Sequence, residues 1–129
     1  GFGFYEYTPD KKGKPQKNID ANTYQLLASV TGQVRELDKD DIIARMMIPL
    51  INEVVLCLEE GIIGSPAEAD MALVYGIGFP PFHGGPLRYL DTIGLDNYVK
   101  LADSFAHLGP LYQVSDHLRA QAAQGKRFY

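Results

Sequence analysis

Between Asp41 and Glu60 apolar residues recur at Ile42, Ile43, Met46, Met47, Leu50, Ile51, Val54, Val55 and Leu58. That is the i, i+3, i+4, i+7 ladder of a helix. Ile48, Leu56 and Cys57 widen the apolar arc and leave one polar stripe along Asp41, Arg45, Asn52 and Glu59. A surface helix carries a narrower apolar face, so this stretch reads as the central helix of a bundle, buried on most sides. Pro49 lies inside it and cannot donate to the carbonyl of Arg45, which predicts a kink. A helix of about 20 residues would reach across a bilayer, but Asp41, Arg45, Glu53, Glu59 and Glu60 argue against insertion.

The remaining pattern is helical as well. Tyr24, Leu27 and Val30 predict a short amphipathic helix from about Asp20 to Val30, ended by Thr31-Gly32. Asp38 to Asp41 put carboxylates at the start of the central helix, where the macrodipole favours them, and Gly61 suits its end. Ser65-Pro66-Ala67-Glu68 combines an N-cap, a first-turn proline and a capping-box acid. The helix it starts runs to Tyr75-Gly76, with Asp70 expected on its solvated side. Gly85-Pro86 launches a helix carrying Leu87, Leu90 and Ile93, with Arg88 and Asp91 toward its polar side. Tyr98, Leu101, Phe105 and Leu108 mark another, stopped by Gly109-Pro110. Ser115 caps a last short helix through Ala123, and residues 125–129 trail off. No strand shows sustained alternation and no repeat has a fixed period. The fold class is all-α, a bundle of roughly five helices.

The opening GFGFYEY needs an apolar surface for Phe2, Phe4 and Tyr5, while Gly1 and Gly3 permit tight backbone paths. The following TPDKKGKPQK reads as a solvated loop or linker. The expected division is therefore residues 1–18, the tail of a preceding domain and a linker, and residues 19–129, a helical domain. Opening without Met in a glycine-aromatic run, the chain reads as a segment of something longer.

Composition narrows the chemistry. The chain has 129 residues, 46% hydrophobic and 22% charged, with a net charge of −4. There is no basic block to suit nucleic acid. The single cysteine, Cys57, lies among aliphatic residues mid-helix and reads as an inert thiol. His83, His107 and His117 lack metal-ligand spacing. Gly76-Ile77-Gly78 follows a helix rather than a strand, which excludes the dinucleotide fingerprint. The segment from Gly76 to Gly85 is instead a proline-stiffened connection that packs Phe79 and Phe82 into the core. His83 is its one titratable group, without a nucleophile or carboxylate beside it in sequence. No residue reads as catalytic, cofactor-binding or metal-binding.

A longer string carries a resemblance. Pro49 within a long helix, Glu59-Glu60-Gly61, Asp70, Gly76-Ile77-Gly78-Phe79-Pro80, Gly85-Pro86 and Leu90-Asp91-Thr92-Ile93-Gly94-Leu95-Asp96 occur in one order. This string is similar to the C-terminal helical domain of the 3-hydroxyacyl-CoA dehydrogenase family, and to its multifunctional bacterial fatty acid oxidation members in particular. The opening Gly1-Phe2-Gly3-Phe4-Tyr5-Glu6-Tyr7 resembles the end of a preceding copy of that domain. The resemblance implies a cytoplasmic parent enzyme of β-oxidation with an enoyl-CoA hydratase domain (a lyase), an NAD-binding oxidoreductase domain and two helical copies, this being the second. It implies NAD and acyl-CoA bound upstream, the upstream domains as partners, and a thiolase beta subunit. For this chain it implies a non-catalytic, interface-forming role, with Phe79, Phe82, His83 and Arg88 as contact residues. Two other readings stand beside it. One is a self-sufficient enzyme using His83 oriented by Asp91. The other is a free-standing helical adaptor or self-associating module.

Overall fold

The structure is a computed structural model that describes residues 3–32 and 35–129. The expectations for Gly1 and Phe2 lie outside the described residues. The chain divides into two compact units, Gly1–Leu37 and Asp38–Tyr129.

In the first unit the stretch read as a loop is a β-hairpin. Strands β1 (Tyr5–Pro9) and β2 (Pro15–Ile19) pair antiparallel, with Tyr5 opposite Ile19 and Pro9 opposite Pro15. Local turn chemistry outweighs the missing apolar alternation. The Asp10 carboxylate accepts from the N–H groups of Lys12 and Lys14, both at 2.8 Å, and Gly13 takes the left-handed conformation at φ +75° that closes the turn. Across the strands the Asn18 amide donates to the Thr8 hydroxyl at 2.7 Å, and the Lys17 ammonium sits 3.6 Å over the Tyr5 ring. Asp20 then caps the helix α1 (Ala21–Ala28), accepting from the N–H of Asn22. None of the α1 side chains is buried.

The second unit holds five helices: α2 (Lys39–Glu59), α3 (Pro66–Gly76), α4 (Pro86–Ile93), α5 (Leu95–Phe105) and α6 (Asp116–Ala123). With α1 the described residues give six helices and one hairpin, the mostly helical fold that the periodicity predicts. Asp38 caps α2 by accepting from the N–H of Asp41. At its other end Gly61 is left-handed, Ile62 donates to the carbonyl of Cys57 and Gly61 to that of Leu58, which is a Schellman ending. The Ser65 hydroxyl accepts from the Glu68 N–H at 3.3 Å, while Glu68 reaches back to the N–H of Gly64 at 3.0 Å. The box forms, displaced by one residue from its usual backbone partner.

The core gathers Ile48, Ile51, Val54 and Val55 of α2, Leu87 and Leu90 of α4, Tyr98 of α5 and Leu118 of α6. Burying such a side chain stabilises the fold by about 1.5–3 kcal/mol. Contrary to its expected burial on most sides, α2 leaves Ile42, Ile43 and Met46 open, Met46 at 71% exposure.

Candidate functional site

Pro49 fixes the first polar cluster. Without its N–H the Arg45 carbonyl loses its helical partner, and the Tyr112 hydroxyl donates to that carbonyl at 3.2 Å. One turn on, buried Asn52 donates its amide to the carbonyls of Leu111 and Gln113 and accepts from the Tyr98 hydroxyl at 2.8 Å. The Tyr98 hydroxyl also approaches the Ile48 carbonyl at 3.2 Å. Burial, with the neighbouring Tyr89 as a smaller cause, drives the Tyr98 phenol far above its ordinary range. The cluster therefore ties α5 and the segment before α6 to α2 as a neutral, hydrogen-bonded network.

The second cluster lies at the start of α4. Gly85 carries no side chain to cap this helix and holds φ +115°. Asp70 of α3 supplies the cap instead, accepting from the N–H groups of Leu87 at 2.7 Å and Arg88 at 3.2 Å. Its exposure is 3%, so the solvated position expected for it is overturned. A Cβ at residue 85 would collide with the Asp70 side chain. Asp91, expected on the polar side, has a side chain only 4% exposed. Its two carboxylate oxygens accept from the N–H groups of Phe128 and Tyr129, each at 2.9 Å. Residues 125–129 thus return to the fold rather than trail off. The Tyr129 hydroxyl donates to Asp70 at 2.8 Å, and the Arg88 guanidinium lies 3.9 Å over its ring. Burial, then the bond to Asp70, pushes the Tyr129 phenol up to about 12.

The segment between α3 and α4 carries the expected contact residues. Phe79 is buried, its N–H bonded to the Leu73 carbonyl at the end of α3. Pro81–His83 form one turn of 3₁₀ helix. His83 is half-buried, with its ring 4.4 Å from that of Phe82 and 4.8 Å, edge-on, from that of Tyr89. Phe82 is 82% exposed rather than packed in the core, because the 3₁₀ turn directs it outward. Arg88 is exposed apart from its contact with Tyr129. The segment thus brings Phe82 and His83 together, leaves Arg88 with the tail and places Phe79 inside.

Asp91, the partner that would orient His83, is engaged by backbone N–H groups. His107 contacts the Ser104 carbonyl and His117 the Gln121 amide. Among the described residues no group of three His, Cys, Asp or Glu could hold a metal ion, and Cys57 is half-buried in α2. An open cleft of about 630 Å³ is lined by Val55, Leu58, Pro66 and Phe128. Its carboxylate, Glu59, already accepts from the Ser115 hydroxyl. A dinucleotide pyrophosphate needs free N–H groups at a helix start. Gly76-Ile77-Gly78 lies at a helix end, where carbonyls face out, and the start at Gly85-Pro86 is filled by Asp70. Neither glycine segment fits NAD. Among the described residues no helix is long and apolar enough to cross a membrane.

What sequence reasoning missed was the pairing of Asp70 and Asp91 with distant backbone. One signal was present: a helix starting at Gly85-Pro86 has no side chain of its own to cap it, so its N–H groups call for a carboxylate from elsewhere.

Residues 42–129 match the family described as "3-hydroxyacyl-CoA dehydrogenase, C-terminal domain". Over all 129 residues the chain is 60% identical to the fatty acid oxidation complex subunit alpha of Idiomarina loihiensis, and it spans 18% of that protein's length. With Pro49, Asp70, Gly85 and Asp91 each holding a structural position in this helical unit, the chain belongs to the 3-hydroxyacyl-CoA dehydrogenase family, in the part formed by its C-terminal domain.

Proposed function

We propose that this chain is the non-catalytic, interface-forming helical domain of a multifunctional β-oxidation enzyme. The parent hydrates enoyl-CoA and oxidises 3-hydroxyacyl-CoA with NAD in the cytoplasm, and this segment supports its dehydrogenase part. The observation that carries the reading is the 60% identity along the whole chain to a fatty acid oxidation complex subunit. The engagement of Asp70 and Asp91 by backbone N–H groups supports the non-catalytic part.

In this reading residues 1–18 are the tail of a preceding helical copy with a linker, and residues 19–129 are the second copy. NAD and the acyl-CoA bind upstream, and a thiolase beta subunit is a partner of the assembled parent. Phe82, His83 and Arg88 are the contacts offered to the upstream NAD-binding and helical domains. Phe79, inside the unit, supports them from behind. Exposed apolar side chains at Phe82 and Met46 suit such a contact surface.

Complementation tests the reading. A parent truncated before residue 1 is mixed with this chain, and NADH formation from 3-hydroxyacyl-CoA is followed. Activity restored by the mixture and missing from either piece supports a completing domain. Oxidation by the chain alone overturns it in favour of an enzyme using His83. Binding of an unrelated peptide with no restoration favours the adaptor reading.

A further inference from the structure

We propose that the cleft walled by the end of α2, the start of α3, α6 and the last residues of the chain binds a monocarboxylate with an apolar body, of the size of a medium-chain fatty acid. The cleft holds about 630 Å³, within the range of small-molecule sites. Its floor is apolar: Val55 is 2% exposed, and Leu58 and Phe128 are partly buried against the core. Pro66, the first residue of α3, forms one side, so the positive end of that helix dipole lies at the cleft. Arg127 also lines it, with its side chain 66% exposed. Among the described residues its one ion-pair approach is 3.7 Å to Asp91, whose two oxygens already accept from the N–H groups of Phe128 and Tyr129. The guanidinium therefore has N–H groups to offer a ligand. His117 and Gln121 of α6, 3.1 Å apart, add polar groups to the same cleft.

The charges select the ligand class. Glu59 is the one carboxylate among the lining residues, and it gives one oxygen to the Ser115 hydroxyl at 2.7 Å. One guanidinium and a helix start can pair a single negative charge. A phosphate or pyrophosphate would bring further charge toward Glu59, and no second lysine or arginine lines the cleft to meet it. A small polar anion would leave Val55, Leu58 and Phe128 uncovered. A carboxylate with a hydrocarbon tail satisfies both demands, its head on Arg127 and its tail on the apolar floor. The site lies apart from Phe82, His83 and Arg88 in sequence and in its lining, and it does not rest on the role proposed for them.

Titration of the full chain with octanoate, followed through its backbone amide resonances, tests the site. Saturable binding with a Kd of about 1 mM or tighter is expected, with the shifts centred on Val55, Leu58, Gln121 and Phe128. Octanol, with the same tail and no charge, binds about tenfold more weakly, and Arg127→Gln weakens octanoate by about the same factor. Gln121→Trp fills the cleft from its wall and abolishes binding. Lys100→Gln removes an exposed cation on α5, outside the lining, and leaves binding unchanged. The inference is overturned if octanoate does not saturate, if its shifts centre elsewhere, or if Arg127→Gln binds it as well as the unaltered chain does. Tighter binding of unacylated CoA than of octanoate in this cleft overturns it in favour of a phosphate site. Should Gln121→Trp fail to fold, Arg127→Gln, whose side chain is exposed, decides alone. Complementation of dehydrogenase activity can succeed or fail with any of these outcomes, so the two readings fail separately.

Discussion

The two units of this chain reach order by different means. Residues Asp38–Tyr129 enclose a core in which Ile48, Ile51, Leu87, Leu90 and Leu118 are fully covered, and they fix it with buried hydrogen bonds between distant segments. Residues Gly1–Leu37 bury no hydrophobic side chain among those described, and apart from the bond of the Thr23 hydroxyl to the Gly3 carbonyl their side-chain bonds join near neighbours or cross one hairpin. A two-stranded hairpin by itself is marginal in water. The contrast shows that helical periodicity with long-range polar ties encloses a core, whereas turn chemistry gives shape and leaves the apolar side chains exposed.

The sharpest way to break this comparison is at its glycines. Gly85→Ala puts a Cβ into Asp70 at a left-handed φ, and is expected to cost about 3 kcal/mol or more, read by chemical denaturation of the helical unit. Asn52→Ala leaves the Leu111 and Gln113 carbonyls without their partner and the Tyr98 hydroxyl with the Ile48 carbonyl alone. A loss of about 2–3 kcal/mol is expected in the same measurement. Tyr129→Phe removes a half-exposed hydrogen bond to a carboxylate, for about 1 kcal/mol at neutral pH.

Tyr129 also sets an alkaline limit. Its phenol is raised in the folded chain, so folding favours the protonated form. The stabilisation is complete below the ordinary phenol range and is lost as pH rises from about 10 toward about 12. Stability profiles of the parent chain and Tyr129→Phe should converge over that window, and a constant separation would remove the role given to the hydroxyl. The smallest effect on the helical unit belongs to Gly13→Ala. It meets open space at φ +75° and strains only the hairpin, by about 1–2 kcal/mol. Amide exchange of β1 and β2 should accelerate while the unfolding midpoint of Asp38–Tyr129 stays unchanged.

What was legible in the sequence is what depends on neighbours along the chain. The ladder from Ile42 to Leu58 gave α2, Asp38, Gly61 and Ser65 gave helix ends, and Pro49 marked a carbonyl without a partner. The hairpin was hidden because Tyr5–Pro9 and Pro15–Ile19 alternate little in polarity, and the signal lay in Asp10 and Gly13 instead. The site was hidden for a different reason. Asp70 meets Leu87, Asn52 meets Leu111 and Asp91 meets Phe128 across gaps with no period, and a carboxylate on a helix looks the same in sequence whether it faces water or a backbone N–H. Phe82 shows the converse: an aromatic residue between prolines reads as core, and the 3₁₀ turn sends it outward.

In the proposed role, the groups of this chain shape and support an enzyme without taking part in its proton transfers. The most direct measurement is the pH dependence of kcat for 3-hydroxyacyl-CoA oxidation by an intact parent enzyme carrying His83→Ala. A contact residue leaves both limbs of the profile in place and kcat within about twofold of the parent, with any loss appearing in stability or KM. A general acid or base contributes about 10²–10⁴-fold, so a loss of that size together with a vanished limb would contradict the account.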